Sequence, residues 1–257
     1  MLRLPPHQIA HPVPKITDIC GSPLLNPKLF KTMRQIAITD IHGCHKTFRA
    51  LLDKVALSRE DELFLLGDYI DRGPDSKGVI DTILKLKADG YQLTCLLGNH
   101  EQMFFELSLS PPGRPLYLYP GLAETLASYN CRHPKDIPPE HLEFILSLPS
   151  CHRVEDYWLV HAGFNFSIPD PLEDQHAMIW ERHWYESVNK EWVGRRIILH
   201  GHTPTRVDEI LSMYEKMDDM SALILDSGCV FRVQGLNQLT AFDMTNRRLY
   251  FQQNIDL

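Results

Sequence analysis

Five short polar clusters carry the chemistry of this 257-residue chain. They are Asp40-Ile41-His42-Gly43, Gly67-Asp68-Tyr69-Ile70-Asp71-Arg72-Gly73, Gly98-Asn99-His100-Glu101, His161-Ala162-Gly163 and Gly201-His202-Thr203. Asp, Asn and His together mix hard oxygen ligands with imidazole nitrogens. Such a set suits divalent first-row metals better than an all-oxygen calcium cage or a thiolate zinc site. A carboxylate has two oxygens, so one Asp can bridge two ions about 3.5–4 Å apart. Glycines beside the ligands allow tight turns and close backbone approach. Any one of these motifs occurs by chance. Five in order, each closing an apolar run, do not.

Those runs are the elements that must position the clusters. Residues 35–39 read as a strand ending at Asp40, and Phe48, Leu51, Leu52 and Val55 follow at the spacing of an amphipathic helix. The unit recurs with a strand over 62–66, a helix burying Val79, Ile80, Ile83 and Leu86, and a third strand over 92–97. Asp40 to Asp68 is 28 residues and Asp68 to Asn99 is 31, each one helix plus one strand with their loops. A βαβαβ unit with parallel strands follows, and its right-handed crossovers return the strand ends to one edge. Residues 102–156 read as a helical, loop-rich insertion covering that edge. Apolar runs at 157–160, 197–199, 223–225, 239–242 and 249–251 predict a second, mixed sheet packed on the first. Residues 1–33 hold six prolines without periodicity and read as an extended arm before a single domain over 34–257.

Composition narrows the partners. Lys plus Arg number 26 against 33 Asp plus Glu, a net charge of −7 with histidine neutral. That argues against a surface tracking nucleic acid or anionic lipid. No apolar stretch approaches the about 20 residues that cross a bilayer, and residues 1–14 lack a signal-peptide core. A cytoplasmic monomer with no nucleic-acid or membrane partner is expected. Six cysteines without a C-x-x-C pair read as reduced thiols. Two bound dications would bring the net charge from −7 to −3 and make the pocket locally positive, so an acidic chain can still present a positive site.

The series D-x-H-G, G-D-x-x-D-R-G, G-N-H-E, H-A-G and G-H-T-P resembles the calcineurin-like metallophosphoesterases. Within them it resembles the phosphoprotein phosphatase family, especially its bacterial and bacteriophage lambda-type serine/threonine phosphatases. The resemblance covers about residues 34–250, with softer support from 121–129, 179–182 and 226–231. It implies a four-layer α/β/β/α sandwich of two mixed β-sheets around the βαβαβ metal-binding core. It puts Asp40, His42 and Asp68 on a first metal, with Asp68 bridging to a second that also takes Asn99, His161 and His202. His200 is set aside because the G-H-T triplet selects His202. Two divalent ions are implied, manganese first, with iron, zinc or nickel as alternatives. Thr39 stands where the family often has Gly or Ser and changes no ligand.

The same resemblance implies direct in-line attack by a metal-bound hydroxide, without a phosphoenzyme. The leaving alkoxide then needs a general acid, which falls to His100, with Asp71 raising its pKa. Arg72 and Arg182 would hold the non-bridging phosphate oxygens, with Asn99 also at the substrate. Glu101 orients neighbouring groups, and Asp226 and Tyr129 are candidates for the pocket wall. The implied activity is hydrolysis of phosphoserine and phosphothreonine in proteins, with phosphotyrosine and small phosphoesters within reach. The alternative is a symmetrical dinucleoside tetraphosphate hydrolase, a related family with the same metal core. Those enzymes typically replace the D-R-G aspartate and carry G-N-H-D, so Asp71 and Glu101 favour the phosphatase. An inactive protein-binding scaffold would have lost ligands or the acid, and a nuclease is disfavoured by the net charge.

Overall fold

A computed structural model describes residues 33–109 and 119–257, all within one compact unit, Met33–Leu257. The expected arm, apart from Met33, and the Pro111-Pro112 loop lie outside the described residues. The first half is the anticipated repeat: β1 (Arg34–Ile38), α1 (His45–Lys54), β2 (Asp61–Leu65), α2 (Ser76–Ala88) and β3 (Gln92–Cys95). β1 pairs parallel to β2 and β2 parallel to β3. α2 starts where the Asp75 carboxylate accepts the Gly78 N–H, satisfying one of the helix's orphan donors.

Next come α3 (Asn99–Leu109), α4 (Leu122–Ser128) and α5 (Pro139–Leu146). The second sheet is built by β4 (Cys151–Arg153), β5 (Tyr157–Val160), β6 (Ile197–His200) and β7 (Ala222–Ile224), in that order. α6 (Gln175–Trp180) and α7 (Lys190–Val193) lie between β5 and β6, and α8 (Val207–Glu215) and α9 (Met217–Met220) between β6 and β7. β8 (Gln238–Asp243) and β9 (Arg248–Gln253) end the chain.

Two expectations change. The run read as an insertion over 102–156 contains β4, an edge strand antiparallel to β5. The last two strands, expected in the second sheet, join the first, whose order is β3-β2-β1-β8-β9. β8 pairs antiparallel with β1, setting Ala37 opposite Phe242, and hairpins to β9. A period-two pattern says which side chains are buried and nothing about which strand lies alongside.

Both sheets are mixed, and alternation along their strands separates three cores. Ile36, Ile38, Leu63 and Leu65 pack against α1 to α5. Ala37, Phe64 and Leu66 face Leu159, Leu199 and Leu223 of the other sheet. Trp158, Val160, Ile198 and Ala222 turn outward under Phe164, Met178, Trp184 and Val193. The layers are therefore helix, sheet, sheet, helix. Among the described residues no helix is long and apolar enough to cross a membrane.

Candidate active site

All five clusters follow the carboxyl ends of β1, β2, β3, β5 and β6, and their side chains converge. Asp68 lies between two histidines: its Oδ2 is 3.5 Å from His42 Nε2 and its Oδ1 3.5 Å from His161 Nε2. Each ring is fixed from behind, because His42 Nδ1–H donates to the Ile70 carbonyl at 3.0 Å and His161 Nδ1–H to that of Leu66 at 2.9 Å. Both Nε2 lone pairs are thereby aimed at the Asp68 carboxylate. Asn99 Oδ1 is 3.1 Å from His161 Nε2 and 2.9 Å from His202 Nδ1. His202 Nε2 is buried without a hydrogen-bond partner.

Two groups of donor atoms are close enough to hold an ion each: His42, Asp68 and His100, and Asp68, His161 and His202. Asp68 belongs to both, one oxygen to each. Asp40 stands beside these groups rather than in either. Its two oxygens accept the His202 N–H at 3.1 Å, and Oδ2 also accepts the Thr39 hydroxyl at 2.6 Å. The donor set fits divalent cations. Asp40, Asp68, Asp71 and Asp226 are all at least 97% buried, a charge density that a dication relieves. Burial and the Asp68 charge push Asp40 up to about 6, and burial with Asp40 holds Asp226 well above the carboxylate range. Asp68 remains below that range despite its burial, because the His161, His100 and His42 imidazoles surround it.

Backbone geometry at these positions is unusual. Asp40, His42, Asp68, Asp71, Arg72 and His202 all have φ between +46° and +72°. Non-glycine residues hold this left-handed conformation at a cost of about 1–3 kcal/mol each, so the surroundings must enforce it. Two glycines permit the crowding: a Cβ on Gly98 would collide with the Asp68 carboxylate and backbone N, and one on Gly201 with the Asp40 carboxylate. Glu101, fully buried, accepts the N–H groups of Gly98 (3.2 Å), Asp68 (2.9 Å), Tyr69 (2.8 Å) and Ile70 (3.2 Å). The orienting role expected of it takes this form, a lock on the loop that carries Asp68.

His100 stands edge-on to His42 with ring centroids 4.8 Å apart. Its Nδ1 is 2.7 Å from Asp71 Oδ2 and its Nε2 4.0 Å from Asp68 Oδ2. Burial opposes its protonation, but the Asp68 and Asp71 carboxylates outweigh it, and His100 titrates above its ordinary 6.5. Arg72 Nη1 donates to His42 Nε2 at 3.1 Å, with its guanidinium carbon 5.6 Å above the Phe231 ring. Arg182 Nη1 donates to the His202 carbonyl and the Thr203 hydroxyl, both at 3.1 Å. One guanidinium thus stands at the His42 side of the cluster and the other at the His202 side.

Tyr129 lies elsewhere than the sequence suggests, whereas His200 stands apart from the ligand groups, as expected. The Tyr129 hydroxyl is 2.8 Å from His141 Nδ1 in the helical core, so Tyr129 is no pocket wall. His200, at the end of β6, accepts the Tyr185 hydroxyl at Nε2 over 2.7 Å, outside both ion-holding groups. Sequence patterns did not point to Ser76, Thr125 or Phe231. Their spacings repeat nothing; Ser76 meets the Asp71 backbone five residues away, but its contact with Thr125 crosses 49 residues and that of Thr125 with Asp71 crosses 54.

The chain spans 68% of the length of a Nitrosomonas europaea protein and is 28% identical to it over 203 residues, 68% of its own length. A Chromohalobacter salexigens relative is 32% identical over 185 residues, 69% of this chain and 61% of that protein. Both bear the name symmetrical bis(5'-nucleosyl)-tetraphosphatase. Among solved structures, a putative diadenosine tetraphosphatase shares the fold with a TM-score of 0.59 at 21% identity, over 86% of this chain and 94% of that one. A Saccharomyces cerevisiae protein serine/threonine phosphatase does so with 0.61 at 13% identity, over 88% and 81%. Residues 33–229 match the calcineurin-like phosphoesterase family, and with its strand-end clusters gathered around Asp68 this chain belongs to that family.

Proposed function

We propose that the chain is a two-metal phosphohydrolase that cuts dinucleoside tetraphosphates at the central anhydride, releasing two nucleoside diphosphates. The observation that carries this reading is the name shared by the curated relatives at 28% and 32% identity. The phosphoprotein substrate expected from the motifs takes second place. A specific observation keeps it in view: His100 Nδ1 lies 2.7 Å from Asp71 Oδ2, a pair suited to give a proton to a poor alkoxide leaving group, which a diphosphate leaving group needs far less.

His42, Asp68, Asn99, His161 and His202, with Asp40 beside them, would hold two divalent cations. The chemistry such ions supply is polarisation of a phosphoryl oxygen and acidification of a water near neutral pH. Oxygen and imidazole donors without thiolate suit manganese, iron, zinc or nickel, and manganese is our choice for the first test. The chain's own residues do the rest. Arg72 and Arg182 present planar, charge-assisted donors to the non-bridging oxygens from opposite sides of the cluster. Asp71 fixes the His100 tautomer with Nδ1–H bonded, leaving Nε2 as the atom that delivers a proton.

The test is catalytic efficiency on diadenosine tetraphosphate, a phosphoserine peptide and a phosphotyrosine peptide, with added manganese and after chelation. Preference for the dinucleotide with nucleoside diphosphate as product is expected. Preference for the phosphoserine peptide would establish the second reading, and activity surviving thorough metal removal would overturn both.

A further inference from the structure

The Asp71 carboxylate is bonded at both oxygens. Oδ2 faces His100 Nδ1, and Oδ1 accepts the Thr125 hydroxyl at 2.6 Å. The same Thr125 oxygen accepts the Asp71 backbone N–H at 2.9 Å and stands 2.9 Å from Ser76 Oγ, which is itself 3.1 Å from Asp71 N. Proton counting fixes the directions. The single Thr125 hydroxyl proton goes to the carboxylate, so Ser76 must donate to Thr125. Ser76 and Thr125 are fully buried, and Asp71 and His100 nearly so. These bonds lie away from the protein surface.

Thr125 comes from α4, 54 residues further along the chain and in the segment that joins the two sheets. A threonine inside a helix ordinarily turns its hydroxyl back to its own helix's carbonyls. Here the hydroxyl leaves the helix for a strained loop. Asp71 and Arg72 sit at φ 72° and 69°, and Gly121 at the start of α4 accepts the Arg72 N–H at 3.3 Å. A Cβ on Gly121 would strike Arg72 N, so α4 abuts both residues of the Asp-Arg pair.

The geometry points to Thr125 as a positioning residue for the proton donor: its hydroxyl locks the Asp71 carboxylate in the orientation that holds His100 Nε2 towards the leaving group. The inference rests on His100 being the general acid, and its effect is larger for an alkoxide leaving group than for a diphosphate. Without the hydroxyl, Asp71 Oδ1 loses its buried donor and the carboxylate can rotate away from His100. Ser76 acts one bond further back, by holding the Thr125 oxygen.

The test uses the manganese-loaded full chain and its Thr125→Val, Thr125→Ser, Ser76→Ala and His100→Asn variants. Substrates are an alkyl phosphate, whose leaving group needs a proton, and p-nitrophenyl phosphate, whose leaving group needs little help. Thr125→Val should lower kcat on the alkyl ester by about 10-fold to 100-fold, part of the 10²–10⁴ that a general acid supplies. The loss on p-nitrophenyl phosphate should be smaller, and KM should stay within about twofold. Thr125→Ser should restore most of the lost rate, and Ser76→Ala should show a weaker form of the same split. In proton spectra of the metal-free protein, the low-field His100 Nδ1–H resonance should move in Thr125→Val and return in Thr125→Ser. Equal losses on both esters in Thr125→Val and Ser76→Ala, or no loss, would overturn the inference if His100→Asn still shows the leaving-group split. A His100→Asn enzyme without that split would instead overturn the general-acid assignment beneath it.

Discussion

Asp68 gives each of its two oxygens a different neighbour, and that division makes it the least replaceable residue of the site. In Asp68→Asn an NH2 group would face one of the two imidazole lone pairs, so both ion positions suffer. We expect fewer than two manganese ions per chain by metal analysis, together with loss of turnover. His100→Asn should keep more metal than Asp68→Asn and lose about 100-fold or more on a poorly leaving ester. Equal metal content in the two variants would remove the bridging role from Asp68. Glu101 offers a different kind of test, because its four backbone donors span two loops. Glu101→Asp is one methylene too short to keep them all and should destabilise the fold by about 1–3 kcal/mol in urea unfolding. This also explains part of what the sequence can reveal. Asp40, His42, Asp68, Asn99, His161 and His202 stand out because each closes a strand, whereas a carboxylate that collects backbone N–H groups has no spacing to recognise it by.

Elements follow the same division between local and distant information. The β1-α1-β2-α2-β3 repeat is readable because periods of two and 3.6 residues are local, and they place Asp40, Asp68 and Asn99 on one edge. The pairing of β8 with β1 is not, since antiparallel addition at an edge depends on residues more than 200 positions away. The contact of α4 with the Asp71 loop is nearer, 54 residues along the chain, but no local period announces it either. It rests on the Thr125 hydroxyl and the Gly121 carbonyl rather than on an apolar stripe. Close packing of elements gives a prediction at Gly98, which separates β3 from α3. Its missing Cβ makes room for Asp68 Oδ1 and Asp68 N, and the neighbouring Glu101 Oε2 lies 2.7 Å from where that carbon would sit. These atoms belong to a buried backbone and two fixed carboxylates, none of which can yield. Gly98→Ala should therefore cost about 1–3 kcal/mol through overpacking and weaken manganese binding in calorimetry. A variant with wild-type affinity would show that the loop relaxes freely.

At the scale of the molecule, the layers bury several imidazoles that must stay neutral, and this sets how the protein responds to acid. His42 and His202 are pushed below their ordinary value mainly by burial, yet a bound metal would mask them, because metal and protons compete for the same nitrogens. His200 isolates the effect. It is 98% buried, its Nε2 accepts the Tyr185 hydroxyl, and its Nδ1–H donates to the Gly201 carbonyl at 3.1 Å. Burial holds it at about 3. In the unfolded chain a histidine takes its proton near pH 6.5, so as pH falls the unfolded state gains a proton that the folded state refuses. The stability contributed by the neutral imidazole is complete above pH 6.5 and declines towards pH 3, by up to about 1.4 kcal/mol per pH unit. His200→Gln keeps an acceptor for Tyr185 and removes the titration. Urea unfolding in chelator at pH 7.5, 6 and 5 should then show a pH slope between 6 and 5 shallower than wild type by nearly one proton, whatever the offset at pH 7.5. Parallel slopes would mean that native His200 is already protonated at pH 5. In that case Tyr185, which can donate but also accept, would be holding an imidazolium in the core, and burial would not be the force that sets this residue's charge.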